Sequence, residues 1–321
     1  MSTLWTALMI PSARVFNPSD AGTVTVESGR VSQLTDQKGS GLAFSQSLAA
    51  NRPEIAPSVI NGKDVLRFDG NSRKMNFPVN IANTIDSKLN LYIVAKNNGG
   101  TRGALIGTRP ASEQQGWSFR YNSATELLYY MTGASPTLSK SISAGEWIIT
   151  SVHRDGLSVA IGLNGTIDAP TSISGFNPST ITPTLGIETG GTSNPLNADI
   201  ARLVWVEDDV DQETHDKIVG SLAHELGLTG LLPAEHPYKI AAPAYGVFHG
   251  TVIDKDGNPA ERRISVLDAT GHCVATDTSD PVTGAYSIDM PNDDPYTLVF
   301  DGEPDRNAIV YANVIPGESP A

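Results

Sequence analysis

Glu146-Trp147-Ile148-Ile149-Thr150-Ser151-Val152-His153-Arg154, then Asp155-Gly156, then Leu157-Ser158-Val159-Ala160-Ile161-Gly162-Leu163, is the stretch that decides the fold class. Two runs rich in β-branched and apolar side chains flank an aspartate and a glycine, which tolerate the positive φ of a tight hairpin turn. The spacing predicts two antiparallel strands.

The same rhythm extends in both directions. Leu89-Asn90-Leu91-Tyr92-Ile93-Val94-Ala95 is almost continuously apolar, as a central strand buried on both faces would be. Thr23-Val24-Thr25-Val26 and Arg30-Val31-Ser32-Gln33-Leu34 alternate, Asp36 to Gly41 has loop chemistry, and Val65-Leu66-Arg67-Phe68 ends in the turn Asp69-Gly70-Asn71. Asp199 to Val206 supplies another strand, and Met1 to Ile10 reads as a first one. Because side chains alternate along a strand, Trp117, Phe119 and Tyr121 fall on one face, with Ser118, Arg120 and Asn122 on the other. Leu127, Tyr129 and Met131 repeat the apolar face after a short turn.

One helix interrupts the strands, at about 211–227. Asp211 is placed to cap it, Ile218, Leu222 and Leu226 share one side, and Gly227 is placed to end it. The proline-punctuated run from Leu231 to Pro243 reads as extended and marks a boundary between a domain at 1–240 and a linker at 241–249. A second strand series follows, in a module placed at 250–321: Gly246 to Ile253, Ile264 to Leu267, Val274 to Thr276, Ala285 to Met290, Tyr296 to Phe300 and Ala308 to Val314. Six or seven short strands in this length have the rhythm of an immunoglobulin-like or prealbumin-like sandwich. With 30 glycines and 21 prolines in 321 residues, composition agrees with many turns joining short strands, and the fold class is all-β.

The formal charge of −13 leaves no basic field for phosphate backbones or anionic lipid, so neither nucleic acid nor membrane insertion is expected. Cys273 is the only cysteine, which excludes an intrachain disulfide, a cysteine zinc cluster and a redox pair; its side chain is expected to be buried or half-buried. The N-terminal run lacks a basic flank and a cleavage site, so the chain is expected to be made in the cytoplasm without a signal peptide.

Several of these blocks carry a resemblance. Arg30 to Asp36, Asn51-Arg52-Pro53, Val65 to Gly70, Asp199-Ile200-Ala201, and above all Gly220 to Leu228 before Leu232-Pro233 and His236-Pro237-Tyr238-Lys239, make the span from Arg30 to Tyr238 similar to the concanavalin A-like lectin/glucanase superfamily. The version resembled is the laminin-G-like domain of bacteriophage virion and tail proteins. From Gly250 onward, Gly250-Thr251-Val252, Asp256 to Pro259, Thr276-Asp277-Thr278 and Thr283 to Ile288 resemble the carboxypeptidase-regulatory or transthyretin-like module. The resemblance implies a jelly-roll sandwich with one packing helix, followed by a small Ig-like sandwich.

Catalytic patterns are incomplete. Glucanases of that superfamily place an acid and a nucleophile on one Glu-x-Asp-x-x-Glu strand; here Glu207-Asp208-Asp209-Val210-Asp211-Gln212 ends in glutamine, and its acids are expected to serve the helix start. His224-Glu225 opens a metalloprotease-like pattern, but position 228 is leucine. Asp254-x-Asp256-x-Asn258 begins like a calcium loop, but Pro259 replaces the glycine, and a plain turn is expected. Asn164-Gly165-Thr166 reads as a turn, and His236 to Lys239 as a fastening of the linker onto the first domain. For sugar binding the candidates are Arg120, Asn122 and Tyr130, on the sheet face opposite the core, which is otherwise expected to be solvated.

The expectation is therefore a non-enzymatic structural protein of a bacteriophage virion, from the tail, a fibre or the capsid exterior, which binds host-surface carbohydrate. Its partners would be other virion proteins, copies of itself and a host glycan, with no metal and no cofactor. A free-standing lectin or adhesin and a glycan hydrolase are the alternatives.

Overall fold

A computed structural model of the chain describes residues 6–79, 86–100, 102–109, 115–188, 194–240, 247–254, 256–267, 271–289, 296–301 and 309–314. The described residues are all-β with one α-helix, and the chain divides into two compact units, one holding Thr6–Ala241 and the other Ala242–Ala321.

The hairpin forms as read. Trp147–Asp155 pairs with Ser158–Leu163, Asp155 opposite Ser158, and on its other side Trp147–Asp155 pairs along its whole length with Lys88–Asn97. From there the first sheet continues through Asn197–Val206, Lys63–Asp69 and Glu54–Ile60, all antiparallel. A second antiparallel layer runs from Val24–Glu27 through Arg30–Thr35, Ala43–Ser45, Met75–Asn76, Thr184–Leu185 and Gly103–Gly107 to Trp117–Ser123, Glu126–Met131 and Leu138–Ser141. The two inner faces make one core: Leu91, Ile93, Val152, Ile161, Leu203 and Trp205 from the first, Phe44, Met75, Phe119, Tyr121, Tyr129 and Met131 from the second. This is a jelly-roll β-sandwich, its shape set by period-two burial on facing layers.

Lys88–Asn97 is buried on both faces because the helix Gln212–Glu225 covers the outside of the first sheet. Asp211 Oδ1 accepts the Thr214 amide at 2.8 Å, as a cap should. At the other end Gly227, at φ +68, lets Leu228 N–H reach the Ala223 carbonyl at 2.7 Å. The segment after the helix differs from the extended run that its prolines suggest. It folds into successive turns, His236 N–H to the Pro233 carbonyl and Lys239 N–H to the His236 carbonyl, because its polar side chains find partners on the helix end. Lys239 Nζ donates to three carbonyls, those of Thr229, Gly230 and Leu232, and His224 Nε2 to that of Tyr238. The fastening of this segment onto the first unit is thus built from hydrogen bonds and one tight contact: a Cβ at Gly220 would come within 2.5 Å of Tyr238 Cβ. Gly220→Leu is expected to expel Tyr238, and the check is a faster tryptic cut after Lys239 with an unchanged helical signal.

Three further expectations are corrected. Of the proposed first strand, residues 1–5 lie outside the described residues, Ala7–Met9 is a 3-10 turn, and the first strand among the described residues is Ala13–Phe16, beyond Pro11, which has no N–H to give a ladder. Cys273 is exposed, because Cys273–Thr278 is the edge strand of its sheet and packs little. The face of Trp117–Ser123 opposite the core is dry at Ser118 and Arg120, which are buried under other segments, and solvated only at Asn122.

In the second unit Val247–Thr251 pairs with Ala285–Asp289, and a second sheet is ordered Cys273–Thr278, Arg263–Leu267, Tyr296–Phe300, Ile309–Val314. Phe248, Ile264, Val266, Tyr286, Ile288, Tyr296, Leu298 and Phe300 form its core. Asp254 Oδ1 accepts the amides of Asp256 and Asn258, so the calcium-like sequence closes a turn upon itself. No helix among the described residues is long and apolar enough to cross a membrane.

Candidate functional site

On Trp117–Ser123 the alternation holds, with Trp117, Phe119 and Tyr121 facing the core. Against Gly103–Gly107 the register slips between Phe119 and Arg120, so that Leu105 and Ile106 both turn inward while Arg120 lies opposite Ala104. Such a bulge re-aims side chains locally. It sets Ser118 and Arg120 on the outer face, and Tyr130, directly across from Ser118 on Glu126–Met131, beside them.

On that outer face Arg120 is only 4% exposed and Ser118 fully buried, because Arg109 and Glu188 fold over them from outside the two strands. Glu188 Oε1 accepts from Arg109 Nη1 at 2.9 Å, Arg120 Nη1 at 2.5 Å and Ser118 Oγ at 3.3 Å, and Oε2 accepts from Asn194 Nδ2 at 2.6 Å. Both guanidinium carbons lie over the Tyr130 ring, Arg109 at 4.4 Å and Arg120 at 5.3 Å from its centroid. Tyr130 itself is half-buried.

Burial acts to raise the Glu188 pKa, but the two arginines and the bonds from Asn194 and Arg120 outweigh it, so the carboxyl is held below its usual range. Burial likewise lowers that of Arg120; Glu188 opposes the shift, and the like charges of Arg102 and Arg109 add to it. Arg102 precedes Gly103, which lies opposite Tyr121, so its backbone is level with Asn122. The cluster is thus a fixed array of hydrogen-bond donors on an aromatic ring, with an ionised acceptor at its centre. The buried groups hold the half-buried Tyr130 ring in place as a platform; Glu188, held ionised, is poorly suited to donate a proton.

Of the three residues singled out in the sequence, the structure brings Arg120 and Tyr130 together. Asn122 is exposed at the rim, where its Nδ2 donates to Glu126 Oε2 at 2.6 Å. Arg109, Glu188 and Asn194 escape sequence reasoning, because they come from irregular segments with no periodicity to place them on this face. Ser118 alone carries a signal, its alternation with Arg120. The acids before the helix go elsewhere: Glu207 pairs with Arg14 at 2.6 Å and Asp209 with Lys88 at 2.7 Å. Among the described residues no three His, Cys, Asp or Glu side chains are grouped to hold a metal ion.

No family model matches the sequence, and no curated protein matches it either. Solved structures do. The Trypanosoma rangeli sialidase in complex with sialic acid aligns over 67% of this chain and 33% of its own, at 11% identity and a TM-score of 0.49. The same organism's sialidase as a covalent intermediate aligns over 61% and 32%, at 10% and 0.44. The CBM40 module of a Ruminococcus gnavus IT-sialidase, bound to alpha2,3 sialyllactose, aligns over 40% and 79%, at 12% and 0.35. The chain therefore spans about a third of the sialidases it matches. The expectation of a chain without enzymatic activity is corrected by this comparison, since its structural neighbours include sialidases, which are glycoside hydrolases. The Glu-x-Asp-x-x-Glu strand belongs to one superfamily's chemistry, and its lack does not exclude another's.

Proposed function

We propose that the first unit binds carbohydrate on the outer face of Gly103–Gly107, Trp117–Ser123 and Glu126–Met131. The observation that carries this reading is the half-buried Tyr130 ring, held between strands and backed by two guanidiniums that Glu188 fixes in place. Sugars are held in part by an aromatic platform, and a ring already locked in position by buried neighbours loses little entropy on binding. Within this reading, the sequence resemblance to laminin-G-like virion domains supports a place on a bacteriophage particle, where the site would meet host-surface glycan. Mass spectrometry of purified particles checks that placement, and a chain missing from every particle preparation overturns it.

The test of the binding itself is a glycan array probed with the full chain and with Tyr130→Ala. Retention on at least one glycan class, weakened about tenfold by the substitution, is the expected result, since a lost stacking contact is worth about 1 kcal/mol or more. Wild-type and variant signals that are equal would remove Tyr130 from the site. The same incubations, read for newly released reducing ends, report whether bound glycan is also cleaved.

A further inference from the structure

Asparagine followed by glycine occurs three times in the sequence, at Asn61-Gly62, Asn98-Gly99 and Asn164-Gly165. The pair is chemically labile, since a glycine nitrogen with no side chain beside it can reach the carboxamide carbon of the residue before it. It is also a preferred centre of a two-residue hairpin turn, and two of the three serve that role here. Asn61-Gly62, at φ 44 and 71, joins Glu54–Ile60 to Lys63–Asp69, and Asn61 Nδ2 donates to the Glu225 carbonyl at 2.9 Å. Asn164-Gly165, at φ 52 and 88, joins Ser158–Leu163 to Thr166–Ile167. Asn164 Oδ1 accepts the Ile149 amide at 2.9 Å, and its own N–H reaches the Ile149 carbonyl at 2.7 Å. Both carboxamides are pinned, and neither step can rotate without opening its hairpin.

Asn98-Gly99 is built differently. It follows Lys88–Asn97, which pairs with Trp147–Asp155 and Asn197–Val206 and not with the strand after it, so no hairpin closes here. Asn98 is exposed, and only its backbone is held, the N–H by the Asn197 carbonyl at 3.0 Å and the C=O by Asn197 Nδ2 at 3.4 Å. Its carboxamide has no hydrogen-bond partner among the described residues. Gly99 has open space, since a Cβ there would meet nothing within 4 Å. Asn97 Oδ1 accepts the Gly99 N–H at 3.1 Å and the Gly100 N–H at 2.9 Å, so releasing the first leaves the acceptor satisfied.

We infer that Asn98 is a site of spontaneous deamidation in the folded protein, and that the other two Asn-Gly steps are protected by their turns. The Gly99 nitrogen gives its proton to solvent base and bonds to Asn98 Cγ. The Cγ–Nδ2 bond breaks, ammonia leaves with a proton from water, and a cyclic imide remains. Water then opens the imide at either carbonyl, giving aspartate or isoaspartate, with no change of oxidation state. The isoaspartate form puts a methylene into the chain beyond Asn98, which displaces the carbonyl held by Asn197 Nδ2 but spares the Asn98 N–H bond. The product is therefore a folded chain one charge more acidic than −13.

The full chain is kept folded in mildly alkaline buffer, and timed tryptic digests are read by mass spectrometry for exchange of amide for acid. Isoaspartate is counted by enzymatic methylation. Asn98 lies on the peptide 97–102, between cuts after Lys96 and Arg102, apart from the other two sites. The expected result is acid at Asn98 about tenfold or more ahead of Asn61 and Asn164, each of which must first give up hydrogen bonds. In urea the three rates should converge, and Asn98→Ser should abolish isoaspartate in 97–102 of the folded chain. Equal rates in the folded chain, a lead by Asn61 or Asn164, or no acid at Asn98 over the time in which the unfolded chain reacts overturns the inference. So does isoaspartate that persists in 97–102 of Asn98→Ser, since it would then arise at Asn97.

Discussion

Glu188→Gln is expected to destabilise the first unit by about 3–5 kcal/mol, the usual cost of removing one partner from a buried ion pair. The carboxylate is about 1% exposed and accepts from two guanidiniums whose side chains are 2% and 5% exposed, so neither arginine has water to turn to when the charge is lost. Glutamine keeps the shape but not the charge, and its single oxygen can accept either from the guanidiniums or from Asn194 Nδ2, not from both sides. Urea unfolding followed by tryptophan fluorescence measures this directly, as a lower midpoint with an unchanged m-value. The companion variant, Arg109→Met with Glu188→Met and Arg120→Leu, removes all three charges together. It is expected to lie near the wild type or above it in stability, since apolar groups of similar volume often replace buried ion clusters without loss. The same triple variant should lose glycan retention. That combination, stable yet unable to bind, assigns the ion cluster to recognition rather than to holding the sandwich together. A Glu188→Gln effect below about 1 kcal/mol would mean that the cluster behaves as a solvated surface pair.

The parts of this protein that can be read from sequence are those with local periodicity. Trp147–Asp155 and Ser158–Leu163 follow from alternation and one turn, and the helix from Asp211 and Gly227, because caps and turns are decided by a few neighbouring residues. Arg120 and Tyr130 are visible for the same reason, each being the polar member of an alternating strand. Glu188 is not, since its position over Arg120 is set by pairing between Thr184–Leu185 and Gly103–Gly107, about 80 residues apart in the chain, and no pattern near Glu188 records it. The same long-range burial makes an expected solvated face dry at Ser118 and Arg120. Cys273 shows the opposite error: cysteines are usually buried, but this one lies on an edge strand, and edge status belongs to the topology, not to the residue.

Acid should loosen the helix from the first sheet well before the core melts. Beneath the helix, His215 and His153 meet edge to face with centroids 4.9 Å apart, with Tyr92 edge-on to His153 at 5.4 Å and tilted against His215 at 5.6 Å. His153 is held by Asn90 at 2.9 Å and Ser151 at 3.0 Å, and Tyr92 Oη lies 3.3 Å from His215 Nδ1. Burial lowers both histidines, His153 to about 3 with help from the neighbouring His215, and His215 to about 4 with help from His236. Each group is neutral in the folded chain but takes a proton near pH 6.5 once unfolded. The unfolded state therefore binds more protons below that pH, and stability that is complete above 6.5 is withdrawn as the pH falls towards 4. A tenfold difference in proton affinity between the folded and unfolded chain is worth about 1.4 kcal/mol, so each histidine withdraws on the order of 3 kcal/mol by about pH 4. Asp216 works against this, since burial raises its carboxyl and the folded state takes that proton early. The Tyr92→Phe/His215→Phe pair keeps both rings and removes the titrating nitrogen together with the hydroxyl it faces, a replacement that leaves no orphaned donor. Urea titrations at pH 7 and pH 4 are expected to show the wild type losing about twice as much stability as the double variant, with the helical signal lost first. Equal losses in the two proteins would locate the acid sensitivity in the carboxylates and not beneath the helix.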